Sequence, residues 1–214
     1  MISVKNVCLK FTKEFYALFD VSFEIKKGES VALLGGEDSG KTSMLRVLCK
    51  LEDFNSGEIY IKGIPLKKLD FKNDISMGYF PQTPVFMERK TVKENLEFVL
   101  KDRGFTKYEI EEKINEALIS FDLAKYKDEK IKKLSLFEKY MIALIRLSFR
   151  KLDVLLINNV FDQVENDERE KLIKLFDDMF VKSGVTCLIA TTSEEIANRL
   201  CSRTIKFNNG QVED

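Results

Sequence analysis

Apolar residues follow two different rhythms along the chain. Near the start they alternate with polar ones, in Ile2-Ser3-Val4-Lys5-Asn6-Val7 and in Leu18-Phe19-Asp20-Val21-Ser22-Phe23-Glu24-Ile25. This predicts half-buried strands over residues 2–11 and 18–28. Ser56 to Gly63 reads as another strand between glycines, and Ile75 to Phe80 as a short apolar strand ending at Pro81-Gln82. Asp153 to Ile157 and Val185 to Ala190 are instead continuous apolar runs, as expected of parallel strands covered on both faces. From Thr91 to about Lys151 the spacing turns helical, with Ile110, Ile114, Ala117, Leu118 and Phe121 on one stripe and an apolar segment over Tyr140–Leu147. Thr91-Val92-Lys93-Glu94 has the form of a capping box. Asp167 to Val181 carries Leu172, Ile173, Leu175, Phe176 and Met179, which predicts an amphipathic crossover helix, and residues 204–212 predict a hairpin with an Asn209-Gly210 turn.

Composition narrows what such a chain does. Its 214 residues hold 35 basic and 35 acidic side chains, which argues against a nucleic-acid partner held by bulk electrostatics. No stretch reads as a signal peptide, and none approaches the roughly 18–20 apolar residues of a membrane span, so any membrane role is expected to be peripheral. Cys8, Cys49, Cys187 and Cys201 are scattered without a C-x-x-C pair, which fits a reduced, cytosolic chain. Histidine is absent, and with it the commonest general base.

The chemistry concentrates at Ser30-Val31-Ala32-Leu33-Leu34, an apolar run that ends in Gly35-Gly36-Glu37-Asp38-Ser39-Gly40-Lys41-Thr42-Ser43. This is G-x-x-x-x-G-K-T between a strand and a helix-patterned segment (Met44, Leu45, Val47, Leu48, Leu51), the context a phosphate-binding P-loop requires. Backbone N–H groups and the helix N-terminus then face the phosphates, Lys41 reaches the outer ones, and the Thr42 hydroxyl ligates Mg²⁺. The plainer alternative is a Gly-rich turn. Glu37 and Asp38 are unexpected in an anion cradle; two like charges about 5 Å apart repel by roughly 1 kcal/mol even in water.

The order of segments resembles the nucleotide-binding domain of ATP-binding cassette (ABC) proteins over essentially the whole chain. Asn6 to Phe11, Val21-Ser22-Phe23 and Lys27-Gly28-Glu29 are similar to that family's opening strands. Ser56-Gly57-Glu58-Ile59, Gly78 to Gln82, Thr91 to Leu96 and Asn209 to Val212 are similar to its later landmarks. The resemblance implies an α/β fold: a P-loop NTPase (RecA-like) core with an antiparallel β subdomain and a helical subdomain. Residues 1–214 would form one such domain, with 1–89 and 150–214 as P-loop/β core and 90–149 as helical insert. It further implies ATP sandwiched head to tail between two cassettes, the P-loop side of one meeting an L-S-G-G-Q signature of the other. Phe11, thirty positions before Lys41, matches the aromatic that stacks on adenine, with core packing as its alternative role and Tyr16 as a weaker candidate. Gln82 matches the loop glutamine that contacts Mg²⁺ and the attacking water.

Other family positions are altered. The signature reads Leu134-Ser135-Leu136-Phe137-Glu138: Ser135 survives, while Leu136 and Phe137 replace glycines that let backbone N–H groups approach the partner's γ-phosphate. Ser135-x-x-Glu138 is also a capping box in its own right, the role favoured for it here. The strand Asp153–Ile157 runs into Asn158-Asn159 where the family has Asp-Glu. Asn158 offers Mg²⁺ a neutral carbonyl in place of a carboxylate, and Asn159 cannot accept a proton from water. Thr192 occupies the switch-histidine position. Loss of a catalytic base alone commonly costs ~10²–10⁴ in rate. The resemblance therefore implies an ATP-binding subunit, located on the cytoplasmic face of a membrane, with an integral membrane transporter subunit and a second cassette as partners. Nucleotide binding is expected to be weak or Mg²⁺-insensitive, and hydrolysis weak or absent. The competing functions are a regulatory or scaffolding pseudo-ATPase and a working ATPase of a soluble ABC assembly.

Overall fold

The computed structural model describes residues 1–12, 15–101 and 104–213. Two sheets organise it. One is antiparallel, in the order β2-β1-β4-β5, from β1 (Ile2–Lys10), β2 (Tyr16–Ile25), β4 (Ser56–Ile61) and the short β5 (Ile64–Pro65). The other runs β10-β9-β3-β8-β7-β6, from β3 (Ser30–Leu34), β6 (Met77–Phe80), β7 (Val154–Asn158), β8 (Thr186–Thr191), β9 (Arg203–Asn208) and β10 (Gln211–Glu213). All of its pairings are parallel except the closing β9–β10 hairpin.

The continuous apolar runs are explained by two cores on opposite faces of this parallel sheet. Val154 and Leu156 of β7 and Leu188 and Ala190 of β8 point into one core, shared with the antiparallel sheet and helix α1 (Lys41–Leu48). Their neighbours Leu155, Ile157, Cys187 and Ile189 point into the other, shared with α2 (Val92–Leu100), α3 (Lys107–Ser120), α4 (Leu136–Ser148) and α5 (Asn166–Phe176). A strand with a core on each side has no polar face to show, so its period-2 signal disappears. β1 keeps the alternation but breaks step near Asn6, where the register shifts and φ is 49°.

The three helices over 92–148 begin alike. Thr91 with Glu94, Thr106 with Glu109 and Ser135 with Glu138 each form a reciprocal capping box, which satisfies two otherwise orphaned N–H groups per helix. The crossover helix expected over Asp167–Val181 is α-helical to Phe176 and closes in a π turn over Asp177–Val181. A last helix, α6 (Glu194–Leu200), follows β8.

Parallel pairing brings one set of strand ends together. Leu34 pairs with Thr191, Asn158 with Ala190, and Phe80 with Ile157, so the loops after β3, β6, β7 and β8 meet along one edge. Open parallel sheets bind their ligands at that edge.

Candidate functional site

The loop after β3 is held from beneath by the closing hairpin. Asn209 (φ 47°) and Gly210 (φ 78°) make the tight turn predicted from Asn-Gly. The Gly210 N–H donates to the Ser39 carbonyl at 3.0 Å, and the Phe19 N–H donates to the Gly210 carbonyl at 2.8 Å. A Cβ on Gly35 would sit 2.2 Å from the Phe207 carbonyl oxygen, so the loop's entry excludes any side chain. Gly40 turns at φ 101° into α1, and Asp38 adopts φ 57°, a left-handed conformation that Asp tolerates better than most residues.

Lys41 is almost fully buried (3% exposed) and its Nζ closes the loop on itself. It donates to the Gly35 carbonyl at 2.8 Å, the Gly36 carbonyl at 2.6 Å and the Ser39 hydroxyl at 2.8 Å. Burial pulls the ammonium below its ordinary value, opposed by the charges of Asp162, Asp38 and Glu37. Glu37 and Asp38 themselves are exposed on the outer lip of the loop. The expected conflict between these acids and a bound anion is eased by that position, because water screens an exposed charge.

Loop, strand end and aromatics enclose one cleft of about 810 Å³. Its walls include Phe11, Phe15, residues 37–43, Gln82 and Asn159. Phe11 is exposed to 56%, which removes core packing as its role. Its ring stacks on that of Phe15, with centroids 6.1 Å apart and an interplanar angle of 22°. Tyr16, the weaker candidate, packs edge-on against Phe19 and under the Lys10 ammonium instead. Ser43, on the first turn of α1, lines the same cleft.

Beside the loop, the Thr42 hydroxyl donates to Asn158 Oδ1 at 3.0 Å. Asn158 is buried. Asn159 is held at φ 49° with its N–H on the Ala190 carbonyl at 2.9 Å, and its Oδ1 is buried with no donor. Among the described residues no cluster of three or more His, Cys, Asp or Glu is placed to hold a metal. Thr42, Gln82 and Asn158 would offer Mg²⁺ neutral oxygens only, without the carboxylate that this hard cation favours.

Thr192 is exposed, and its N–H points to Asp162 Oδ2 at 3.4 Å. Asp162 is the acid that sequence reasoning missed. It accepts the Thr191 hydroxyl at 3.0 Å on both oxygens, which ties the end of β8 to the loop after β7. It lies four residues beyond the altered Asn158, at a position where the family motif over residues 160–165 has no acid, so the fold reveals its role.

Gln82 is exposed at the cleft while its backbone carbonyl accepts the hydroxyl of Tyr140, a fully buried α4 residue whose ring meets Phe80 edge-on at 5.6 Å. Burial pushes that hydroxyl up to about 12, so it remains a donor at neutral pH. Two turns along α4, Arg146 donates to the Val85 carbonyl at 2.7 Å and stacks over Phe86 at 4.9 Å. Phe80 and Arg146 line a second, more apolar groove of about 320 Å³ that includes Pro84, Val85, Val99, Ala143 and Leu147. Ser135, exposed Leu136 and half-buried Phe137 lie at the N-terminus of α4. The Ser135 hydroxyl accepts the Glu138 N–H at 3.2 Å, the capping role favoured from sequence.

A family model described as ABC transporter matches residues 18–161. The methionine import ATP-binding protein MetN of Clostridioides difficile (strain 630) is 30% identical over 99% of the chain, which spans 67% of that protein. The spermidine/putrescine import ATP-binding protein PotA of Thermotoga maritima is 28% identical over 99% of the chain, which spans 57% of it. Among solved structures, the dimeric post-hydrolysis state of an ATP-binding cassette bound to ADP and Pi superposes with a TM-score of 0.87 at 26% identity, covering 100% of this chain and 97% of that one.

Proposed function

The chain belongs to the ABC transporter family, and from that premise we propose that it is the ATP-binding subunit of an ABC transport assembly whose own hydrolytic chemistry has lapsed. The observation that carries this is the pairing of a fully built phosphate loop with Asn158 and Asn159 at the adjoining strand end. Lys41 and the loop N–H groups would hold the phosphates, and Phe11 with Phe15 would supply π faces for the base. Asn159 cannot take a proton at the position where the family's base would stand, and the Asp162 carboxylate is engaged by Thr191 and the Thr192 N–H.

No helix among the described residues is long and apolar enough to cross a membrane, so transport would need a separate membrane component. The apolar groove beside the Gln82 loop, with Arg146 at its floor, suits a short helix of such a partner. The names of the relatives refer to import, which favours import for this chain as well. A second cassette would complete the nucleotide site, in line with the dimeric state of the structural relative. The chain would then lie peripherally on the cytoplasmic face.

A tagged copy isolated from detergent-solubilised membranes is expected to bring a polytopic membrane protein with it, and Val85→Asp in the groove to release that protein. Recovery of the tagged chain in a complex without any membrane protein would favour the scaffolding function instead.

A further inference from the structure

Mg²⁺ in a P-loop bridges phosphate oxygens to the protein's acids, because a carboxylate and a phosphate cannot approach each other without a cation between them. An amide has no such constraint: it carries two N–H donors where a carboxylate has none. In this chain both positions at the end of β7 are amides. Asn158 Oδ1 already accepts the Thr42 hydroxyl at 3.0 Å, so α1 and β7 are tied together without any charge. Asn159 is turned with its oxygen buried and undonated. Asn159 lines the cleft with Lys41 and Thr42, where an amide can offer N–H donors that a carboxylate lacks.

We propose that this site takes the nucleotide as the metal-free polyphosphate, with amide and ammonium donors standing where Mg²⁺ and its acids would be. The proposal rests on the reading of the cleft as a nucleotide site. Glu37 and Asp38 line the same cleft but are exposed, so water screens their charges.

The test is calorimetric titration of the full chain with ATP, once with Mg²⁺ in excess and once with EDTA, alongside Asn158→Asp and Lys41→Ala. For the unaltered chain the two dissociation constants are expected to agree within about twofold. Asn158→Asp is expected to lose about tenfold or more in affinity in EDTA and to regain it with Mg²⁺, since the restored carboxylate repels phosphate until a cation bridges the two. A tenfold or greater tightening of the unaltered chain by Mg²⁺ would overturn the proposal and leave the nucleotide site standing. Absence of binding in both buffers, matching Lys41→Ala, would overturn the nucleotide site and the proposal with it. If Asn158→Asp does not fold, the comparison of buffers on the unaltered chain decides alone.

Discussion

The loop after β3 and the strand end of β7 meet at one edge of the same sheet, with β8 between their strands, yet they differ in what they keep. The loop retains each element of its geometry: Gly35 pressed against the Phe207 carbonyl, Gly40 at positive φ, and Lys41 bonded to three loop oxygens. The strand end retains its backbone position, paired with β8 and buried, but has exchanged carboxylates for amides. The first set of features is bound up with folding, since altering it opens clashes or strands buried polar groups. The second set bears on chemistry: Asn158 is buried there and accepts the Thr42 hydroxyl. Under the proposed function, holding a phosphate and cleaving it would be carried by separable residues, and the core would protect only the former.

That contrast can be sharpened by mutation. The largest effect is expected from Lys41→Ala, which removes a charge-assisted contact to phosphate and strands the Gly35 and Gly36 carbonyls. ATP affinity should fall by about 100-fold or more in a binding titration, whereas exposed Thr192→Ala should change it by no more than about threefold. Next comes Gly35→Ala, whose Cβ would collide with backbone 2.2 Å away; thermal unfolding should register a loss of about 2–3 kcal/mol. Ser135→Ala deletes a helix cap at the altered signature and should cost about 1 kcal/mol of stability with nucleotide affinity unchanged.

The smallest effect is a pH dependence far from the cleft. Glu111 is held by Lys127 and Lys93, which lower its carboxyl from the ordinary 4.5 to about 2. A depressed carboxyl stabilises the fold fully above about 4.5, and that contribution drains away as the pH falls toward 2. Glu111→Gln should therefore flatten the acid limb of an unfolding curve in this window and leave the neutral region parallel to the unaltered chain.

Much of this was legible in the sequence, for reasons specific to each element. β7 and β8 could be recognised as parallel because a short uninterrupted apolar run fits a strand covered on both faces. The P-loop could be recognised because its strand, loop and helix are contiguous, as is the Ser135–Glu138 cap. Sites assembled from distant segments were less visible. Tyr140 meets the Gln82 carbonyl across 58 positions, and Thr191 meets Asp162 across 29. Phe15 shows its place at the cleft only through its stacking on Phe11. The third capping box, Thr106 to Glu109, was written as plainly as the other two, but no landmark drew attention to it.

The separation of binding from cleavage is tested most directly by the fate of bound nucleotide. Purified chain would be loaded with labelled ATP, freed of excess by rapid filtration, held at working temperature, then quenched and its nucleotide resolved by chromatography. Lys41→Ala carried in parallel would reveal any contaminating ATPase. The label is predicted to be retained by the unaltered chain and recovered as intact ATP. Steady conversion of the retained label to ADP and phosphate by the unaltered chain, absent from Lys41→Ala, would contradict the account.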